Sequence, residues 1–401
     1  MTDLSNLPQE NSSDEFVQPT FRSLRELIDR VSGRHIDADQ PQEDAGLADI
    51  VPFPFLAMVG QSEMKLALLL SMINPAMGGV LLVGPRGTGK TTVVRSLTDL
   101  LPEVPRSLCF YGCLPEDVET GGIEAICPDC ARKYAQGDPL AQMDRVRLVE
   151  LPLNALIEDV VGGLDERAAV QDRLRLRRGI LAQADRNLLY VDEVNLLAED
   201  VVDAILDAAA QGFYVVRRGP VSATYRSRFA LIGSMNPEEG QLRPQIMDRF
   251  GLRVIVHGLA DMEARLEAYR RVQAYQTNPR LTSAQYAEAT ETARTEIQIA
   301  RDLLPQVKLS DETARLGISL IERLKIDSLR AEITLFESAR AHAIADGRLE
   351  VNPDDLQTVA PLALRLRRSA FIREYFEQQE PEEQELAGII QQVFNSTNDK
   401  K

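Results

Sequence analysis

No apolar run in this chain reaches the roughly 18 residues that a membrane-crossing helix needs, so no membrane span is expected. Positive charge is in deficit: 45 Lys and Arg stand against 61 Asp and Glu, a net charge of −16. Nucleic-acid phosphates are held by Lys and Arg, so this balance argues against DNA or RNA binding as the main function. The N-terminus, Met1-Thr2-Asp3-Leu4-Ser5-Asn6, has neither the basic nor the apolar region of a secretory signal. It is also too acidic for a transit peptide, and the expected location is cytoplasmic. There, the four cysteines serve as thiols or metal ligands rather than disulfides. The three histidines, His35, His257 and His342, are scattered, and each is most simply a surface or core residue. No internal repeat is visible.

What remains is an ordinary globular composition, 44% hydrophobic and 26% charged over 401 residues, enough for two or three domains. One stretch organises it. Val80-Leu81-Leu82-Val83 reads as a buried parallel strand, and Gly84-Pro85-Arg86-Gly87-Thr88-Gly89-Lys90-Thr91-Thr92 follows as a glycine-rich turn opening a helix. The turn fits G-x-x-x-x-G-K-[ST], the P-loop that cradles phosphates with backbone N–H groups at a helix N-terminus. In that reading Lys90 reaches the β- and γ-phosphates of a nucleoside triphosphate, and Thr91 ligates the accompanying Mg²⁺.

Three further stretches bear on the same chemistry. Asn187-Leu188-Leu189-Tyr190-Val191 is a buried strand that delivers Asp192 and Glu193 at its C-terminal end. Asp192 would hold Mg²⁺ and Glu193 would polarise the attacking water, although two acids there also suit a helix N-terminus. A strand at Phe229–Met235 ends in Asn236, which either orients the lytic water or simply makes an Asx turn before Pro237. Leu242–Phe250 carries Arg243 and Arg249. A guanidinium facing a neighbouring subunit's γ-phosphate would be an arginine finger, whereas Asp248-Arg249 alone could be a surface ion pair.

Cys109, Cys113 and the pair in Cys127-Pro128-Asp129-Cys130 fall within one loop-rich region. A C-x-x-C knuckle with two upstream cysteines can close a tetrahedral zinc site. The looser Cys109–Cys113 spacing, in an apolar run, makes buried thiols the simpler expectation. Glu63–Met72 reads as a helix ended by Asn74-Pro75, and Val146–Leu151 as an alternating strand. A charged helical stretch is expected after Gly162-Gly163. After Asp261 long helices replace strands. One begins near Ser328 with Arg330 close to its start, and another is capped by Asn352-Pro353.

Together these landmarks resemble the AAA+ ATPases, and more closely the subunit I family of magnesium chelatase. The resemblance rests on Val59-Gly60-Gln61, Tyr190–Leu197, Met235–Gly240 and Leu242–Gly251, and runs from about Pro52 to Arg368. It implies an α/β fold, a AAA+ P-loop domain with a parallel sheet flanked by helices, plus a C-terminal helical domain. The expected organisation is an acidic N-terminal extension at 1–50 with one short amphipathic helix (Phe21–Val31), and a nucleotide-binding domain at 51–260. That domain carries a cysteine-bearing insertion near 105–145; a helical linker at 261–304, a helical lid at 305–377 and a polar tail at 378–401 follow. By motif position Asn236 corresponds to sensor 1, Arg249 to the arginine finger and Arg330 to sensor 2, with Arg243 a second interface candidate. The resemblance further implies ATP and Mg²⁺ as cofactors and a homo-oligomeric ring, taken as a hexamer. It also implies two partners, the D-type AAA+ subunit of the chelatase and its large H-type porphyrin-binding subunit. Mg²⁺ insertion into protoporphyrin IX is the implied reaction. A cobalt chelatase ATPase has near-identical motifs, and a AAA+ DNA remodeller or a non-hydrolysing ATP-binding scaffold are alternatives of other classes. The acidic balance disfavours the remodeller. The joint presence of Lys90, Asp192, Glu193, Asn236 and Arg249 disfavours the scaffold.

Overall fold

A computed structural model describes residues 51–109, 112–164, 176–219, 221–240 and 242–367. The amphipathic helix expected at Phe21–Val31, most of the charged stretch after Gly163 and the polar tail lie outside the described residues. In chain order the first half runs α1 (Ser62–Ile73), β1 (Val80–Val83), α2 (Lys90–Ser96), β2 (Val104–Ser107), α3 (Pro115–Gly121), α4 (Pro128–Gln136), β3 (Ala141–Asp144), β4 (Leu148–Leu151), α5 (Ile157–Val161) and α6 (Ile180–Gln183). Then come β5 (Leu188–Val191), α7 (Glu199–Gln211), β6 (Phe213–Arg218), β7 (Val221–Arg226), β8 (Ala230–Met235), α8 (Pro244–Arg249) and β9 (Leu252–Ile255). Helices alone follow: α9 (Met262–Thr277), α10 (Pro279–Leu303), α11 (Asp311–Arg323), α12 (Leu329–Ala345) and α13 (Pro353–Leu364).

Five strands form an all-parallel sheet in the order β4-β5-β8-β1-β9. Parallel strands need crossovers, and helices therefore cover both faces. Strand alternation divides the core in two. Val80 and Leu82 face a cluster with α1, α2 and the C-terminal helices, whereas Leu81 and Val83 face α5, α6 and α7. The uninterrupted apolar runs at 80–83 and 188–191 are thus buried on both sides. Two antiparallel pairs leave this frame. β2 and β3 bracket the cysteine segment, and β6 and β7 form a hairpin. The hairpin went unread in the sequence, although Tyr214 and Val216 alternate inward between exposed neighbours. The strand expected from Val146 is confined to Leu148–Leu151, at the sheet edge.

Helices α11 and α13 are capped as their residue types dictate. Ser310 Oγ accepts from Thr313 N, and Asn352 Oδ1 from Asp355 N (2.9 Å). Asp355 is fully buried and accepts from Asn352 N (2.8 Å), Arg348 Nη1 (2.7 Å) and Arg348 Nη2 (2.5 Å), with His342 Nδ1 at 2.6 Å. Burial pushes this carboxyl up, but the Arg348, Asn352 and His342 contacts outweigh it and leave it below the usual range. A depressed carboxyl contributes stability above its unfolded-state value, lost as pH falls through its folded one. Asp355→Asn should therefore destabilise the helical region by about 3 kcal/mol at neutral pH. Urea melts at a series of pH values check this, and the deficit should shrink once pH drops below about 4.

Candidate nucleotide site

The C-terminal ends of β1, β5 and β8 lie side by side, with Val83 paired to Met235 and Val191 to Gly233. That edge is where open α/β sheets bind ligands, and it collects the P-loop, Asp192, Glu193 and Asn236. Gly84 leaves β1 where no side chain fits, since a Cβ there would lie 2.2 Å from the Val256 carbonyl oxygen. Gly87 and Gly89 take φ of +77° and +85°, turning the chain back into α2. Pro85, Arg86 and Gly87 are exposed at the loop's crest, and Thr88 Oγ1 donates to the Pro85 carbonyl (3.0 Å). A Cβ on Gly87 would meet nothing within 4 Å, so the crest is open to a ligand.

Lys90 is only 9% exposed, and its ammonium donates to the carbonyls of Gly84 (2.7 Å) and Pro85 (2.8 Å). Burial pulls it below lysine's usual range, while Asp192, Glu193 and Glu239 pull the other way. A cation thus sits at the loop's centre, flanked by three carboxylates. Thr91, the second residue of α2, has its hydroxyl 3.1 Å from that of Tyr190, whereas Thr92 is exposed.

Asp192 is braced by two hydroxyls that the sequence reading missed. Tyr190 donates to its Oδ1 (2.9 Å), and so does Ser234. Tyr190 is two positions back on β5, and the period of two offered a signal for it. Ser234 comes from β8 and needed the strand pairing. Burial pushes the Tyr190 hydroxyl up to about 12, so it remains a donor. The Ser234 oxygen also accepts from Glu193 N (3.1 Å), which holds Glu193 in the left-handed region at φ 50°, ψ 52°. A non-glycine residue there costs on the order of 1–2 kcal/mol, a strain typical of functional positions. The Glu193 carboxylate pairs with Arg86 (3.0 Å), which also reaches Glu239. Asn236 is buried at the end of β8, and its Oδ1 accepts from Glu238 N (3.3 Å). The Asx turn exists, and it leaves the amide's NH₂ group outside the turn.

The hard oxygen donors of Thr91 and Asp192, linked through Tyr190, fit Mg²⁺. The glycine cradle with its buried lysine fits a polyphosphate.

The remaining candidates lie elsewhere. Arg249 pairs with Asp207 (2.8 Å) and Asp203 (3.4 Å) on α7, and Arg243 with Glu199 at its start. Arg330, at the start of α12, is 3.5 Å from Asp248. Asp248 also receives buried Arg367 (2.7 Å) and Arg253 (3.5 Å), so one carboxylate serves three guanidiniums. Burial, reinforced by Arg367, lowers Arg253 to about 9. The sulfurs of Cys109, Cys113, Cys127 and Cys130 converge within 4.8 Å of one another, away from this sheet edge.

Comparison with known proteins agrees with this geometry. The AAA domain family matches residues 76–220 and the AAA lid domain family residues 316–389. The magnesium-chelatase subunit ChlI homolog of Methanocaldococcus jannaschii is 42% identical, over 80% of this chain and 87% of its own. The magnesium-chelatase 38 kDa subunit of Acidiphilium rubrum is also 42% identical, over 79% and 90%. The crystal structure of a Cytophaga hutchinsonii protein described as an ATPase superimposes with a TM-score of 0.52 at 20% identity, covering 78% of this chain and 84% of that one. It shares the fold. With a AAA fold, a braced acidic pair beside a P-loop and relatives of this identity along most of its length, the chain belongs to the magnesium-chelatase subunit I family of AAA ATPases.

Proposed function

We propose that this chain is the ATPase motor of a magnesium chelatase, driving insertion of Mg²⁺ into protoporphyrin IX on the route to chlorophyll or bacteriochlorophyll. The observation that carries the reading is the convergence of Lys90, Thr91, Asp192, Glu193 and Asn236 on one sheet edge, in a chain of this family. ATP would lie along the P-loop with Lys90 on its β- and γ-phosphates. Thr91 and Asp192 would hold Mg²⁺, which when bound neutralises charge on the phosphate oxygens. Tyr190 and Ser234 keep the Asp192 carboxylate oriented. Glu193 takes the proton from the attacking water, and Asn236 orients that water. The protein would work as a homo-oligomeric ring, a hexamer, with the D-type AAA+ subunit and the porphyrin-binding H-type subunit of the chelatase. The metal and the macrocycle would be handled by those partners.

Arg249 lies on α8, and among the described residues its guanidinium pairs with Asp203 and Asp207 of α7 and not with its own P-loop, which supports action on a neighbour's nucleotide. Arg249→Ala should bind ATP yet hydrolyse it at least tenfold more slowly (an effect on the order of 1.4 kcal/mol or more). Mixing it with Lys90→Ala subunits should restore part of the rate, because some interfaces then pair an intact loop with an intact finger. Confirmed mixed rings that show no recovery would refute action in trans.

The function itself is tested by reconstitution. Alone, the protein should hydrolyse Mg-ATP without yielding metalloporphyrin. With its AAA+ and porphyrin-binding partner subunits and protoporphyrin IX it should support Mg-protoporphyrin formation, read by fluorescence. Insertion that proceeds without this chain, or that serves only cobalt and a corrinoid precursor, would overturn the reading.

A further inference from the structure

The segment between β2 and β3 has a core of its own, and half of that core is sulfur. Its buried members are Cys113, Ile126, Cys130 and Leu140, with Cys109, Val118, Cys127 and Ala131 packed against them. Four aliphatic side chains, two of them only partly buried, are too few to hold a segment of this length; structures so small need a metal or a covalent staple. All four sulfurs lie within 4.8 Å of one another, one atom from each cysteine. A tetrahedral zinc with bonds of ~2.3 Å sets its sulfurs ~3.8 Å apart, inside that limit.

The surroundings suit thiolates as well. Cys127 caps α4, and Cys130 sits in its first turn, so the C-x-x-C pair straddles the helix start. Cys113 N donates to Cys109 Sγ (3.3 Å), Cys127 N donates to Cys113 Sγ (3.3 Å), and Ser107 Oγ reaches Cys109 Sγ (3.5 Å). Backbone donors of this kind orient ligand sulfurs and offset their charge. Cations stand close: the Arg178 guanidinium lies against Gly112, and Arg226 pairs with Asp117 on α3. From Cys109, Cys113, Cys127 and Cys130, we propose a structural zinc site that closes the β2–β3 insertion. Four protein ligands leave no open coordination position, so the ion binds no substrate. The insertion reaches the body through Asp117–Arg226 and through Glu116–Arg186 (2.6 Å), beside the β6–β7 hairpin. None of these groups touches the P-loop, so the zinc fixes the insertion's shape and leaves ATP chemistry to the sheet edge.

The experiment uses the full chain, purified without chelator and analysed for metals by inductively coupled plasma mass spectrometry. About one zinc per chain is expected. Cobalt exchanged into the protein should give the visible bands of tetrahedral thiolate coordination. Cys127→Ser and Cys130→Ser should each lose the metal while keeping basal ATPase activity. Should either variant fail to fold, wild-type protein stripped by chelator supplies the second measurement. Proteolysis should then cut within residues 108–140, and added Zn²⁺ should restore protection. Folded wild-type protein that stays zinc-free after incubation with Zn²⁺ would overturn the proposal. So would two disulfides found by mass spectrometry, or zinc content unchanged in both serine variants.

Discussion

Glu193→Gln is expected to bind ATP as tightly as the wild type and to hydrolyse it ~10²–10⁴-fold more slowly. An amide cannot accept a proton from water, and general-base assistance is worth about that factor. The substitution keeps the shape of the side chain, and the Ser234 bond to the residue's backbone N–H survives it. The pair with Arg86 weakens, but that arginine is largely exposed and retains Glu239. The measurement is steady-state phosphate release beside equilibrium binding of a fluorescent ATP analogue. A wild-type rate in this variant would refute the assignment, and weakened binding with unchanged turnover would make Glu193 a binding residue.

Lys90→Ala is expected to weaken ATP binding by about tenfold to a hundredfold, from the loss of a charged hydrogen bond worth ~1.5–3 kcal/mol. Turnover and chelation should fall with it. The ammonium is buried against two loop carbonyls and flanked by Asp192, Glu193 and Glu239. Removing it therefore leaves Arg86, already paired with Glu193 and Glu239, as the loop's cation between these carboxylates and the polyphosphate. Calorimetric titration with ATP, with and without Mg²⁺, separates the direct loss from any loss through the metal. Binding equal to wild type would remove Lys90 from the phosphate site. Chelation sustained by Lys90→Ala alongside both partner subunits would show that ATP turnover here does not drive insertion.

Contiguous motifs were legible because their chemistry is local. The run from Val80 to Thr92 declares strand, turn and helix within a dozen neighbours, and Asn352-Pro353 declares a cap within four. Asp192 and Glu193 were readable because a buried strand must end somewhere polar. The bracing was not readable from contiguous residues. Ser234 is 42 positions from Asp192 and becomes its neighbour only because β5 pairs with β8. The resting partners of the arginines were equally hidden. Arg249 could have met solvent or any acid, and its two aspartates come from a helix some forty residues earlier.

By itself, the sequence determined the AAA+ class, the glycine-rich turn between β1 and α2, the acidic pair after β5 and the helical C-terminal region. Glycine conformations, strand hydrophobicity and capping chemistry act over a few residues and leave little freedom. Tertiary structure alone decided the strand order, the hydroxyls that hold Asp192, the three guanidiniums sharing Asp248 and the convergence of four sulfurs. The cysteines show the physical reason. Spacing along the chain left Cys109–Cys113 a loose fit to a metal knuckle, because spacing does not state which way a loop closes. Closure comes from β2 pairing antiparallel with β3, which draws both ends of the segment together around its sulfurs.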